Sequence, residues 1–211
     1  MCIKQSIICM TVDKVRENMI AKRIQMKGSM KHNIILIGFM GCGKTSIGER
    51  LAQKLSYRFR DTDQLIEQKE QATINHIFAL HGEEYFRGKE TGLLQELLPE
   101  LNHVVLSTGG GLPLRDENTL LLKDMGFVVY LKASKETTIK RLSGDRTRPL
   151  LQGDDMEMRI ESMLNYRTPI YERAAHKIII TDHKSIDELV TTIMEAYMKF
   201  DGSECHHGGE I

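Results

Sequence analysis

The stretch from Asn33 to Thr45, NIILIGFMGCGKT, constrains this chain more than any other part of it. NIILI is an unbroken apolar run of the kind a strand buried on both faces requires. It leads directly into Gly38-Phe39-Met40-Gly41-Cys42-Gly43-Lys44-Thr45, a full match to G-x-x-x-x-G-K-[ST]. Behind it, apolar residues at 47, 51, 52 and 55 recur at helical spacing. Strand, glycine-rich turn and helix in that order form a phosphate cradle. The glycines let the backbone close in with its N–H groups pointing inward, and the helix N-terminus adds positive potential. Gly41, Cys42, Gly43, Lys44, Thr45 and Ser46 are the expected nucleotide contacts. Lys44 would reach the β- and γ-phosphates and the Thr45 hydroxyl would ligate Mg²⁺. The bland alternative is a glycine turn capped by a polar residue, and the flanking strand and helix argue against it.

The rest of the chain alternates in the same manner. YRFRD reads as a short strand, and residues 73–80 and 83–98 as two helices, the second closing at Pro99. HVVLS is a strand followed by Gly109-Gly110-Gly111. Asp116 to Asp124 reads as a helix, FVVYLKA as a strand, and Ser134 as the N-cap of ETTIKRL. A helical pattern runs to about Arg173, then HKIIIT is a strand and Ser185 to Phe200 a last helix. Strands alternating with helices predict an α/β fold around a parallel sheet of about five strands. Residues 1–29 stand apart. They read either as a short helical extension or, the favoured reading, as an upstream start or expression remnant ahead of Met30. Residues 30–200 form the expected domain, with a lid at about 143–155, and 201–211 form a polar tail whose Cys-His-His cluster reads as a frayed end.

Composition excludes several classes. The 211 residues carry 29 Lys plus Arg against 29 Asp plus Glu. With no net charge there is no long-range field to recruit nucleic acid or an anionic membrane, so neither is an expected partner. No segment reaches the roughly 18 apolar residues of a membrane span. Cys2, Cys9, Cys42 and Cys205 are too scattered for a disulfide framework, which points to a reducing, cytoplasmic setting. A guanine-specifying N-K-x-D is absent, and the strand ending Leu106-Ser107-Thr108 lacks the acid that ATPase machinery places there.

The magnesium carboxylate must then come from elsewhere, and Asp61-Thr62-Asp63 is the candidate. At a strand end, one aspartate faces a metal and the other an acceptor hydroxyl; the alternative is that Thr62 or Asp63 simply caps the helix QLIEQ. Taken together, GFMGCGKTSIG, DTDQLIE, GEEYFRGKE, the triple glycine, RTRPLL and YRTPIYERAA resemble the shikimate kinase family, itself similar in fold to nucleoside monophosphate kinases. The resemblance covers Asn33 to about Phe200.

That resemblance implies a sheet of order 2-3-1-4-5 and an ATP- and Mg²⁺-dependent transfer onto the 3-hydroxyl of shikimate, within aromatic amino acid (chorismate) biosynthesis. It also implies a monomer. Arg87 and Arg167 fall at the family's carboxylate-binding positions, which suits the planar fork of a guanidinium. Glu90, three residues on, would hold Arg87, although an isolated arginine on a solvated helix face is the bland alternative. Asp63 would accept from the ring hydroxyls, and Gly109, Gly110 and Gly111 would bring backbone close to the substrate. Arg148 resembles a lid arginine over the phosphates, and Arg141 a residue stacking on adenine. Lys184 stands at an adenine-loop position that is often arginine. Lys44, Asp63 and Arg148 form the implied catalytic set, with Thr45 and Asp61 at the metal.

Three rivals remain at this point: a gluconate or other small-molecule kinase, a nucleoside monophosphate kinase, and a non-catalytic sensor that keeps the fold. Cys42, beside Lys44 and near a helix N-terminus, is expected to be the most reactive cysteine. The alternative is a thiol turned inward against the sheet.

Overall fold

The computed structural model describes residues 32–143 and 155–200. Five parallel strands make one sheet: β1 (Asn33–Ile37), β2 (Arg58–Asp61), β3 (Val104–Ser107), β4 (Phe127–Lys132) and β5 (Lys177–Ile180), in the order β2-β3-β1-β4-β5. This is the order that the family resemblance implies. The helices are α1 (Lys44–Leu55), α2 (Thr62–Glu70), α3 (Ile74–Glu100), α4 (Asp116–Met125), α5 (Lys135–Leu142), α6 (Met156–Ala174) and α7 (Ile186–Lys199), with a short 3₁₀ turn at Leu112–Leu114.

β1 lies at the centre with every residue buried, because helices cover both faces of the sheet. Alternation of side chains divides its core in two. Ile35, Ile37, Leu106, Val128 and Tyr130 pack against residues of α3, α4 and α6. Ile34, Leu36, Val105, Val129 and Leu131 pack against α1 and α7. Asn33 is fully buried at the base of β1 and joins three segments. Its Nδ2 donates to the carbonyls of Leu101 (3.1 Å) and Met125 (2.9 Å), and its Oδ1 accepts from the Val104 N–H.

The caps explain where most helices begin. Ser134 accepts from the Thr137 N–H as expected, and Ser185 forms a reciprocal capping box with Glu188. α3 breaks at Gly82 (φ 79°, ψ 176°), between the two helical stretches that the sequence separates. It runs through Pro99 to Glu100 instead of closing at the proline. Pro99 sacrifices one intrahelical bond there, while the next bond, Leu101 N–H to the Leu97 carbonyl (2.9 Å), still forms. Among the described residues, no helix is long and apolar enough to cross a membrane.

Candidate active site

Parallel α/β sheets carry their sites beyond the carboxyl ends of the strands, and here β1, β2 and β3 deliver their loops to one cavity of about 520 Å³. The loop after β1 turns through Gly41 (φ 76°) and Gly43 (φ 97°), left-handed conformations that favour glycine, and α1 begins at Lys44. Thr45, Ser46, Asp61, Asp63, Ser107, Gly110, Arg141 and Lys184 share the walls with this loop. The Lys44 ammonium folds back on its own loop, donating to the carbonyls of Gly38 (2.8 Å) and Phe39 (3.0 Å). The Arg141 guanidinium donates to the Gly41 carbonyl at 3.1 Å, which ties α5 to the cradle. Lys184 reaches the cavity from the loop after β5. That loop is anchored by Asp182, which accepts from the N–H and hydroxyl of Ser134. Burial pushes the Asp182 carboxyl up, but hydrogen bonds from Thr137 and Ser134 outweigh it and hold the group below its usual range.

Cys42 corrects one expectation. Its side chain is 1% exposed and packs with Ile34, Leu36 and Ile47, so the inward reading is the one realised. The Lys44 ammonium does stand 3.7 Å from the thiol sulfur, but the turn buries that sulfur where a reagent cannot reach it. N-ethylmaleimide should leave Cys42 unmodified in the native protein and label it after denaturation, with adducts mapped by mass spectrometry. Rapid native labelling at Cys42 would contradict this burial.

The two aspartates part ways at the end of β2. Asp61, not Thr62 or Asp63, is the N-cap of α2, its Oδ1 accepting from the N–H groups of Asp63 (2.9 Å) and Gln64 (3.4 Å). Asp61 pairs in register with Ser107 of β3, whose hydroxyl is buried and has no partner among the described residues. Thr45, Asp61 and Ser107 thus offer hard oxygen donors to one cavity. That suits Mg²⁺, which keeps several waters and takes few carboxylates.

Thr62 was not singled out by the sequence, yet it is fully buried and its hydroxyl accepts from the Gly109 N–H at 2.9 Å. This bond joins the DTD turn to the triple glycine. A side chain at Gly109 would overlap Asp63 and crowd Glu90, and one at Gly111 would overlap the Arg87 guanidinium. The glycines are therefore the space into which the acid and the arginine fit. Gly110 lies against the phosphate loop, where a Cβ would stand 3.5 Å from the Gly38 carbonyl oxygen.

Arg87 and Arg167 do not line the phosphate cavity itself; they stand at the triple-glycine side of it. The Arg87 Nη1 donates to Glu90 at 2.7 Å, and its Nη2 and Nε donate to Glu83 at 2.8 and 3.2 Å. Burial disfavours the Arg87 charge, yet the two glutamates outweigh it and hold the guanidinium above its usual range. Glu90 is 0% exposed. Burial pushes its carboxyl up further than Arg87 pulls it down, to about 7, and the nearby Asp63 charge adds to the rise. Arg167 lies over the Phe39 ring at 5.6 Å, and its positive charge acts on the Tyr171 hydroxyl one turn on. Tyr171, also missed, is fully buried and donates to the Gly110 carbonyl at 2.5 Å. Its place one turn after Arg167 was the available signal. Arg148 lies outside the described residues, as do 1–31, the segment 144–154 and the tail from 201.

The raised Glu90 makes a stability prediction with a definite sign. A carboxyl whose folded pKa lies above its ordinary 4.5 favours the fold while protonated. That contribution is complete below about 4.5 and is lost as pH rises through about 7. Arg87→Met removes the cation that offsets Glu90, so Glu90 should titrate higher still. Urea melts should therefore show a larger loss of stability at pH 8 than at pH 5. An equal loss at both values would remove Glu90 as the responsible group.

A phosphate loop on a 2-3-1-4-5 parallel sheet, with paired aspartates where β2 runs into α2, defines a P-loop kinase. Within that class, the family model for shikimate kinase matches residues 40–198. The chain is 45% identical over 165 residues to the shikimate kinase of Thioalkalivibrio sulfidiphilus, covering 78% of this chain and 86% of that protein. It is 44% identical to the shikimate kinase of Clostridium botulinum, covering 81% of this chain and 98% of that one. The structure of shikimate kinase from Acinetobacter baumannii in complex with shikimate matches with a TM-score of 0.76 at 38% identity, over 83% of this chain and 96% of that one. The chain belongs to the shikimate kinase family.

Proposed function

We propose that this chain transfers the γ-phosphoryl group of ATP to the 3-hydroxyl of shikimate, releasing ADP and shikimate 3-phosphate. The observation that carries the reading is the position of Asp63. It lines the phosphate cavity and also abuts Gly109 and Glu90, next to the carboxylate-binding Arg87. The family membership supports it, as does the solved Acinetobacter relative, whose complex contains shikimate.

In this reading Arg87 and Arg167 hold the substrate carboxylate, each offering a planar pair of N–H donors. Glu83, exposed at the surface, is the partner that a ligand displaces from Arg87, whereas buried Glu90 keeps the guanidinium oriented. Asp63 accepts from the 3-hydroxyl and directs it at the γ-phosphorus, and takes its proton if a base is needed. Lys44 leaves its loop carbonyls to neutralise charge developing on the phosphoryl oxygens, joined by Arg148. Arg141 and Lys184 flank the adenine. Thr45 and Asp61 would hold Mg²⁺, with the Ser107 hydroxyl beside them, and the ion would supply charge neutralisation for the nucleotide phosphates. Residues 30–200 are the working unit, acting as a monomer in the cytoplasm.

Coupled ADP release with shikimate, gluconate, AMP and CMP side by side tests the substrate. Turnover is expected with shikimate alone. Faster turnover with gluconate or a nucleoside monophosphate would replace shikimate as the acceptor, and ATP binding without turnover on any of them would favour the sensor.

A further inference from the structure

In the proposed reaction Arg167 meets the acceptor carboxylate, and the family resemblance places the Gly110 backbone beside the same substrate. The two are not separate in the structure. α6 places Tyr171 one turn beyond Arg167, on the same helical face. The Arg167 cation acts on the Tyr171 hydroxyl from one turn away, and that hydroxyl in turn lies 2.5 Å from the Gly110 carbonyl oxygen. A carbonyl only accepts, so the direction of that bond is determined: Oη donates to Gly110, with the Arg167 charge beside it. The ring is fully buried between Tyr130, at 5.1 Å between centroids, and the rest of the core. It has no freedom to swing away and let water take its place. On the other side of the turn, Thr62 accepts from the Gly109 N–H. The triple glycine is thus gripped at the Thr108–Gly109 peptide from the start of α2 and at the Gly110–Gly111 peptide from α6.

We infer that Tyr171 is a positioning residue for the acceptor: through its hydroxyl it sets the Gly110 peptide and the Arg167 guanidinium as one unit. A glycine turn with no side chains has no packing of its own to hold its peptide planes, and Gly110 has open contacts, the nearest being 3.5 Å from a notional Cβ. The donor that fixes it must come from outside, and Tyr171 supplies it. A cation beside the hydroxyl strengthens its bond to the carbonyl, and the same peptide carries the Gly111 N–H. A substrate carboxylate drawn to Arg167 therefore meets a turn already oriented by the same tyrosine. Preorganisation of this kind is expressed in acceptor affinity and orientation, and leaves the nucleotide side, which Tyr171 does not touch, alone.

The inference rests on the proposed shikimate reading, and Tyr171→Phe separates the two. The ring and its packing remain; only the hydroxyl goes. The KM for shikimate should rise about tenfold, the scale expected for a buried bond coupled to a charged group. The KM for ATP should stay within about twofold, and the thermal midpoint should move little. The second arm is a cycle with Arg167→Lys, reading shikimate affinity by calorimetry. The double variant should lose clearly less than the product of the single losses, because lysine already displaces the planar charge that acts beside Oη. If Tyr171→Phe does not fold, 3-fluorotyrosine at 171 keeps the shape and makes a stronger donor, and shikimate should bind more tightly. Unchanged shikimate KM in Tyr171→Phe, equal rises for both substrates, or multiplicative losses in the cycle would each overturn the inference. A wild-type chain that does not phosphorylate shikimate would instead overturn the substrate assignment.

Discussion

Asp63→Asn should lower shikimate phosphorylation by about 10²–10⁴-fold while ATP still binds. The substitution is nearly isosteric, so the helix start and its Asp61 cap survive: the bond at stake there is from the Asp63 backbone N–H to Asp61, not from the side chain. What changes is the character of the group facing the acceptor. A carboxylate at the second position of α2 is favoured by the helix N-terminus, and it presents acceptors only. An amide presents an N–H₂ as well, cannot take a proton, and has lost the charge that orients a hydroxyl. Its removal also relieves Glu90, whose carboxyl is raised partly by Asp63 and should titrate lower in the variant. Fluorescent-nucleotide binding and single-turnover kinetics, measured together, check the split. Near-normal turnover would sink the role of Asp63, and a matching loss of ATP affinity would move that role to the nucleotide.

The course of the chain was largely legible before any coordinates. NIILI had to be a doubly covered strand because nothing polar interrupts it, and β1 is buried throughout. Gly82 separates two helical patterns in sequence and breaks α3 in space. The order of the strands was a different matter: it depends on which crossovers pack, which no local pattern records, and it came from resemblance alone. The roles around DTD show the same limit at a finer scale. A capping acid and a metal-facing acid have the same composition and both stand at a strand end. Only the bonds from the Asp63 and Gln64 N–H groups identify Asp61 as the cap. Asp61 also lines the cavity, so its capping bonds do not by themselves exclude the metal-facing role proposed for it.

Thr62 and Tyr171 were passed over for a common reason. Each acts through a hydroxyl on a backbone group distant in sequence, Gly109 and Gly110, and a partner of that kind leaves no spacing signature. Burial would have been the clue, since a fully buried hydroxyl needs a partner. Glu90 was found for the opposite reason: its partner is three residues away on the same helix, where spacing does report contact. What spacing did not report is that Glu90 is wholly enclosed, which turns a routine helix pair into a group that titrates near neutrality.

Lys44→Met should cost about 10²-fold or more in kcat, with a smaller effect on ATP affinity. In the structure the ammonium is held by the carbonyls of Gly38 and Phe39 at the rim of the cavity, close to where phosphates would enter. Those bonds keep the charge inside the cradle, and the ligand's phosphates are the stronger acceptors for it. In the ground state the charge of ATP is already met by the backbone N–H groups of the loop, so a missing lysine is partly covered. In the transition state, charge shifts within the transferring group and toward the β–γ bridge, and a fixed cation there requires no reorganisation. The loss should therefore fall on the chemical step. Methionine fills much of the same volume, while the Gly38 and Phe39 carbonyls lose their ammonium donor, a cost to stability that the thermal melt reads separately. Rapid-quench single turnovers at saturating ATP and shikimate, with a thermal melt as control, measure the effect on chemistry alone. A variant that lost ATP affinity but turned over at the wild-type rate once saturated would show that Lys44 only binds.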